Sequence, residues 1–159
     1  MQKISTCLWF DGQAEAAAHF YVSVFKDGKI GPVMRWLEDG PGGRKGDVLM
    51  VSFEIEGREF HALNAGPDFK PTPGVSFIVD CHDQDELDRL WGQLGADGGA
   101  AMACGWITDR FGVTWQIVPD VLTGYLADPD PVKAQRAMKA RMGMVKLDFA
   151  ALKQAHDGA

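Results

Sequence analysis

The stretch Cys104-Gly-Trp-Ile-Thr-Asp-Arg-Phe-Gly-Val-Thr-Trp-Gln-Ile-Val-Pro119 reads as two short strands joined by a turn. Trp106 and Ile107 end the first strand. Asp109-Arg110-Phe111-Gly112 makes the turn, with Gly112 free to take a positive φ. Val113 to Val118 forms the second strand, and Pro119 stops it because it has no N–H for a ladder. Alternation then sends Val113, Trp115 and Ile117 to one face and Thr114, Gln116 and Val118 to the other. One polar side chain, Gln116, therefore lies on the face opposite a large aromatic.

The chain around this hairpin has 159 residues, enough for one domain or two half-domains sharing a core. An apolar fraction of 46% with five Trp supports a sizeable core and argues against disorder. The net charge of −6 argues against nucleic acid or an anionic membrane as the main partner. No apolar run is long enough to span a bilayer, and the start Met-Gln-Lys-Ile-Ser-Thr-Cys lacks a signal-peptide core, so the expected compartment is the cytoplasm. Cys7, Cys81 and Cys104 are odd in number and widely spaced, forming neither a disulfide framework nor a CxxC metal knuckle.

Taken in order, Ile4 to Phe10 is a strand. Asp11 is the expected N-cap of a helix from Gln13 to Phe25, striped by Ala14, Ala17, Tyr21, Val24 and Phe25. Gly28 to Leu37 alternates as a second strand, weakened by Gly31-Pro32. Glu38 to Gly46 is rich in glycine and reads as a mobile loop. Val48 to Ile55 and Glu59 to Leu63 form a hairpin about Glu56-Gly57-Arg58, and Asn64 to Gly74 is a connector. Val75 to Val79 begins the second half. Asp83 and Glu86 have capping-box spacing ahead of a helix striped by Leu87, Leu90, Trp91 and Leu94. Gly95, Gly98 and Gly99 end it, and Ala100 to Cys104 is a weak strand leading into the opening hairpin. Asp130 caps a helix with Pro131 at its first position that runs to Met142, and Asp148 caps another from Phe149 to Gln154. Ala134, Ala137, Met138, Arg141, Met142 and Val145 give a Met-rich stripe suited to packing on the chain's own sheet or on a second copy, with Asp128-Pro-Asp130 as an extended arm.

The two halves repeat. Phe53-Glu-Ile-Glu-Gly57-Arg-Glu-Phe60-His61-Ala62 lies on Thr108-Asp-Arg-Phe-Gly112-Val-Thr-Trp115-Gln116-Ile117 without a gap, so that His61 falls on Gln116. Ile4-Ser-Thr6 falls on Gly74-Val-Ser76. The expected fold is α+β, one domain of paired βαβββ modules over residues 1–66 and 74–119, with a helical extension over 120–159. Two such modules pair to bury their sheets and leave a cleft.

Leu8-Trp-Phe-Asp-Gly-Gln-Ala-Glu-Ala-Ala, Phe60-His-Ala-Leu-Asn64-Ala-Gly-Pro67, Val75-Ser-Phe-Ile-Val-Asp-Cys81 and Cys104 to Pro119 are similar to the PhnB-like branch of the vicinal oxygen chelate, or glyoxalase/bleomycin-resistance, superfamily. That branch often carries the label 3-demethylubiquinone-9 3-methyltransferase. In metal-using members the resemblance implies ligands on four equivalent strands, here at Thr6, His61, Ser76 and Gln116, within one residue at Thr6 and Ser76. Divalent ions want His, Asp or Glu in at least three such places, and only His61 qualifies, so no metal or other cofactor is expected. Small-molecule binding then rests on His61 and Gln116 as candidate catalytic groups, with Thr6, Trp9, Trp36, Asn64, Ser76, Cys104 and Trp106 around them. Trp91 and Trp115 read as core. Cys7 and Cys104 read as inert thiols unless a base stands beside them, and Asp109 and Arg110 as turn residues. A metal-dependent lyase, isomerase or dioxygenase and a sequestering protein without turnover are the alternatives, and the superfamily implies a homodimer. The methyltransferase label fits the residues poorly, since the first strand runs into Asp11-Gly12-Gln13 with no glycine-rich loop for S-adenosylmethionine.

Overall fold

A computed structural model describes residues 3–158. The chain divides into two compact units, the first up to Pro71 and the second from Thr72 on.

The first unit runs β1 (Thr6–Phe10), α1 (Ala14–Val24), β2 (Lys29–Arg35), β3 (Val48–Ile55) and β4 (Arg58–Asn64). Its sheet has the order β1-β4-β3-β2, with β1 parallel to β4 and the other pairs antiparallel. β3 and β4 meet through Glu56 and Gly57, both at positive φ (47° and 70°), the two-residue turn that matches strand twist. One face of the sheet is covered by α1: Tyr21 stacks on Phe53 at 5.7 Å, and Phe53 on Phe60 at 5.3 Å. The alternate residues on the other face, Cys7, Trp9, Ser52, His61 and Leu63, are exposed or half-buried.

The second unit repeats the plan as β5 (Phe77–Cys81), α2 (Gln84–Leu94), β6 (Ala100–Ala101), β7 (Trp106–Thr108) and β8 (Thr114–Pro119), ordered β5-β8-β7-β6. Again the first strand is parallel to the last. Leu87, Leu90 and Leu94 of α2 are buried, as are Trp115, Ile117 and Ile107 on one sheet face. Three helices follow, α3 (Leu122–Leu126), α4 (Pro131–Met142) and α5 (Phe149–Asp157).

Several boundaries depart from the sequence reading. Asp11 is not the cap of α1; Gln13 holds that position without a side-chain bond, and the Ala14 N–H is taken by Asn64 Oδ1 at 2.9 Å, a residue fifty positions away. Asp83 Oδ1 caps α2 through the Glu86 N–H, but Glu86 reaches the His82 N–H instead of the cap's own. The strand expected from Val75 starts two residues later, at Phe77. The strand expected over Ala100 to Cys104 keeps only Ala100–Ala101. Cys104 sits at φ 65°, and its N–H and that of Gly105 donate to the Met144 and Val145 carbonyls, which anchors the C-terminal segment. Glu38 to Gly46 is folded, not loose: Trp36 and Asp47 are bonded across it, Asp39 and Asp47 accept from Lys45 and Arg44, and Gly40 and Gly43 pack so closely on the Trp36 ring that a Cβ at either would clash. Asp128-Pro-Asp130 is no arm. Asp128 Oδ2 lies 2.8 Å from His156 Nε2 and ties the linker to α5. Of the Met-rich stripe α4 buries Ala137, while Met138, Met142 and Val145 are exposed.

His82 is held 2.8 Å from Asp120 at the β5 and β8 ends. The hydrogen bond and the charge of Asp120 raise its pKa. Because the folded value is the higher, this contribution to stability is full below the unfolded pKa and is lost as pH rises through the folded one. A histidine titration by NMR should give a higher pKa for His82 in the native chain than in Asp120→Asn, and identical values contradict the pairing.

Candidate functional site

In the first unit His61 projects from β4 onto the face that α1 leaves uncovered. Its Nδ1 lies 2.9 Å from Ser52 Oγ on the neighbouring β3, and its Nε2 lies 3.0 Å from Ser5 Oγ just ahead of β1. In the second unit Gln116 projects from the equivalent strand β8. Its Nε2 donates to Ser76 Oγ at 2.9 Å, just ahead of β5, and Trp106 on β7 stands opposite it in register. Ser5–His61 and Ser76–Gln116 therefore occupy the same strand positions in the two units.

Thr6 does not belong to this set. Its register partner is Phe60, so its side chain shares the face packed by α1, and Ser5 takes the position given to it by the sequence alignment. Trp9 shares the open face of sheet 1, where its Nε1 donates to the Gly66 carbonyl at 2.8 Å and its ring meets Phe69 edge-on at 5.0 Å. Trp36 is wrapped by its own loop, with Nε1 buried and without a partner among the described residues. Asn64 is 5% exposed, and both ends of its amide serve the fold: Oδ1 caps α1 and Nδ2 donates to the Val48 carbonyl at 3.0 Å. Asn64→Ala should lower stability by about 2 kcal/mol, the combined cost of a lost cap and a buried donor left bare. Urea unfolding checks this; an unchanged midpoint contradicts the capping role. Cys104 is half-buried in the turn that holds Met144.

Among the thiols, burial pushes Cys81 up to about 12, helped by Glu86 and Asp80. Cys7 is raised by partial burial of its thiol although the residue is exposed at the surface. Neither is a thiolate at neutral pH. Asp109 is 3% exposed and accepts from the Phe111 and Val113 N–H groups and from Trp115 Nε1, a turn role throughout.

Ser52 is absent from the sequence reading, and Ser5 enters it only through the one-residue margin at Thr6. Ser52 was accessible, since a two-residue turn at Glu56-Gly57 places it opposite His61. Ser5 needed the parallel register of β1 on β4, which sequence spacing does not fix.

A divalent metal of the kind that the sequence resemblance implies does not fit these donors. His61 has a hydroxyl against each nitrogen, and Gln116 and Ser76 supply neutral oxygens only. No group of three His, Cys, Asp or Glu side chains comes together among the described residues. Such a set offers one nitrogen and no negative charge. No helix among the described residues is long and apolar enough to cross a membrane.

Comparison with known proteins bears on the family and the fold. The family model described as 3-demethylubiquinone-9 3-methyltransferase matches residues 2–118, so α3, α4 and α5 lie beyond it. A PhnB protein from Bacillus cereus is 34% identical with a TM-score of 0.65, over 72% of this chain and 97% of its own. Protein PA1353 from Pseudomonas aeruginosa is similar in fold, with a TM-score of 0.58 and 21% identity over 72% of this chain and 95% of its own. No match was found among curated proteins. The chain belongs to the 3-demethylubiquinone-9 3-methyltransferase family.

Proposed function

We propose that this protein binds, or acts on, a small organic molecule at the uncovered sheet faces, without a catalytic metal. In the first unit His61 supplies the hydrogen bonds and Trp9 a flat apolar wall; in the second, Gln116 and Trp106 take those parts. The observation that carries this reading is the pair of equivalent polar couples, Ser5–His61 and Ser76–Gln116, each on the face its helix leaves open. A core histidine or glutamine would be enclosed, whereas both are half-buried.

Methyl transfer, which the family's description names, is not the reading adopted. β1 runs into Asp11-Gly12-Gln13, and the α1 terminus that follows has its first N–H occupied by Asn64. β2 pairs antiparallel with β3 in place of a parallel crossover.

A thermal-shift screen of aromatic acids, amides and phenols tests the binding, because a ligand that prefers the folded state raises its melting temperature. The expected result is a stabilising compound whose shift is lost in His61→Ala or in Gln116→Ala, according to the sheet face that it binds. A divalent ion purified at one per chain and lost in His61→Ala overturns the metal-free reading. Saturable S-adenosylmethionine binding by calorimetry overturns the rejection of methyl transfer. The homodimer we propose for the assembly is tested by sedimentation equilibrium.

A further inference from the structure

We infer that Ser52 is a nucleophile activated by His61 and directed at a short uncharged acyl ester. This rests on the same open face as the proposed function but holds whichever ligand that face binds. His61 lies between two hydroxyls, Ser52 Oγ at 2.9 Å from Nδ1 and Ser5 Oγ at 3.0 Å from Nε2. A neutral imidazole has one N–H and one bare nitrogen, so one serine must accept from the ring while the other donates to it. When Nε2 carries the proton it donates to Ser5. Nδ1 is then the acceptor, and the Ser52 proton points at it. This is a nucleophile, a base and a third group that fixes the base, all within hydrogen-bond reach.

Ser52 is chosen over Ser5 because it lines a cavity. The register of β2 against β3 breaks between Ile30 and Val33, at Gly31-Pro32. Beside that break is a cavity of about 630 Å³ lined by Lys29, Gly31, Pro32, Ser52, Glu54 and Glu59, among others. Glu54 and Glu59 stand opposite one another in register, with Lys29 3.9 Å from Glu54. Two carboxylates against one ammonium disfavour an anionic substrate.

The step closes in atoms and protons. Ser52 Oγ bonds to the acyl carbon as its proton passes to His61 Nδ1. The carbonyl re-forms as the alcohol leaves with that proton, and Ser52 is acylated. Water then attacks the acyl carbon, gives a proton to Nδ1, and the carboxylic acid departs as that proton returns to Ser52 Oγ.

The test is incubation of the full chain with p-nitrophenyl acetate, following the nitrophenolate burst and mapping the acetyl group by peptide mass spectrometry. The expected result is one burst equivalent per chain and acetyl on Ser52. His61→Gln keeps hydrogen-bonding groups but removes the base, and should slow acylation about 100-fold. Ser5→Ala should slow it several-fold by releasing the ring. Acetyl found only on lysines or on Ser5, or a His61→Gln rate equal to the native one, overturns the proposal. Mapping on the native chain decides the matter even where Ser52→Ala fails to fold. Absent acylation with an intact ligand-induced melting shift removes the nucleophile and leaves the binding reading; the reverse pattern removes binding and leaves the nucleophile.

Discussion

Asp109→Ala should lower the stability of this protein by about 3 kcal/mol, one of the two largest losses expected from a single substitution. The carboxylate is 3% exposed and closes the β7–β8 turn from inside. Oδ1 accepts from the Phe111 N–H at 2.8 Å and the Val113 N–H at 3.1 Å, and Oδ2 accepts from Trp115 Nε1 at 2.8 Å. Alanine removes both acceptor oxygens, and with them all three hydrogen bonds, and leaves the Val113 amide and the indole N–H in surroundings closed to water. A buried donor without a partner costs about 1–3 kcal/mol. For a chain of this length the melting temperature should fall by about 9 °C. Asp109→Asn should fall between the two, because its oxygen can still take the backbone amides while its NH₂ meets the indole donor. Urea unfolding of the three proteins checks the order. Asp109→Ala within 1 kcal/mol of the native chain, on the scale of ordinary surface substitutions, contradicts it.

Gly105→Ala should cost a similar amount by a different route. Gly105 sits at φ 83°, where an L side chain pays about 1–2 kcal/mol. A Cβ there would lie 2.9 Å from the Ile117 carbonyl oxygen and 2.9 Å from Leu147 Cδ1. The first is β8 backbone and cannot yield without disturbing the sheet, so overpacking adds about 1–3 kcal/mol. The Gly105 N–H also holds the Val145 carbonyl, so displacement acts on the segment carrying Leu147. The expected total is about 3 kcal/mol. Limited proteolysis should cut first in α4 and α5. Gly124→Ala is the control: it lies in α3, where an added Cβ would meet nothing within 4 Å, and should be neutral or slightly stabilising. Equal losses at both glycines contradict the steric argument.

Both substitutions fall in the stretch from Cys104 to Pro119, whose reading also revealed the repeat. Alternation in β8 correctly separated Gln116 from Trp115, because period-two patterning is local and strong there. The caps at Asp130 and Asp148, and the Asp83 side of the capping box, were legible for the same reason: each bond spans two or three residues. What stayed hidden was set by distant chain. The cap of α1 comes from Asn64, so Asn64 looked like a ligand contact when it is a helix cap. The Glu38–Gly46 loop has the composition of a mobile segment, yet its glycines are where the Trp36 ring leaves no room for a Cβ. Thr6 was placed one residue out because parallel pairing of β1 on β4 has no turn to fix its register.

That parallel pairing bears on the order in which the sheets are completed. The β3–β4 and β7–β8 hairpins join neighbours in sequence and can close early. β1 must wait for β4, from Thr6 to Phe60, and β5 for β8, from Phe77 to Trp115. Closing such long loops costs entropy before any contact rewards it. During synthesis the first sheet therefore stays unfinished until Asn64 has left the ribosome, and that same residue then caps α1. Ser5 meets His61 only at this last docking. In pulsed hydrogen exchange the amides of β1 should gain protection after those of the β3–β4 hairpin, which ties assembly of the His61 site to the final step of its module.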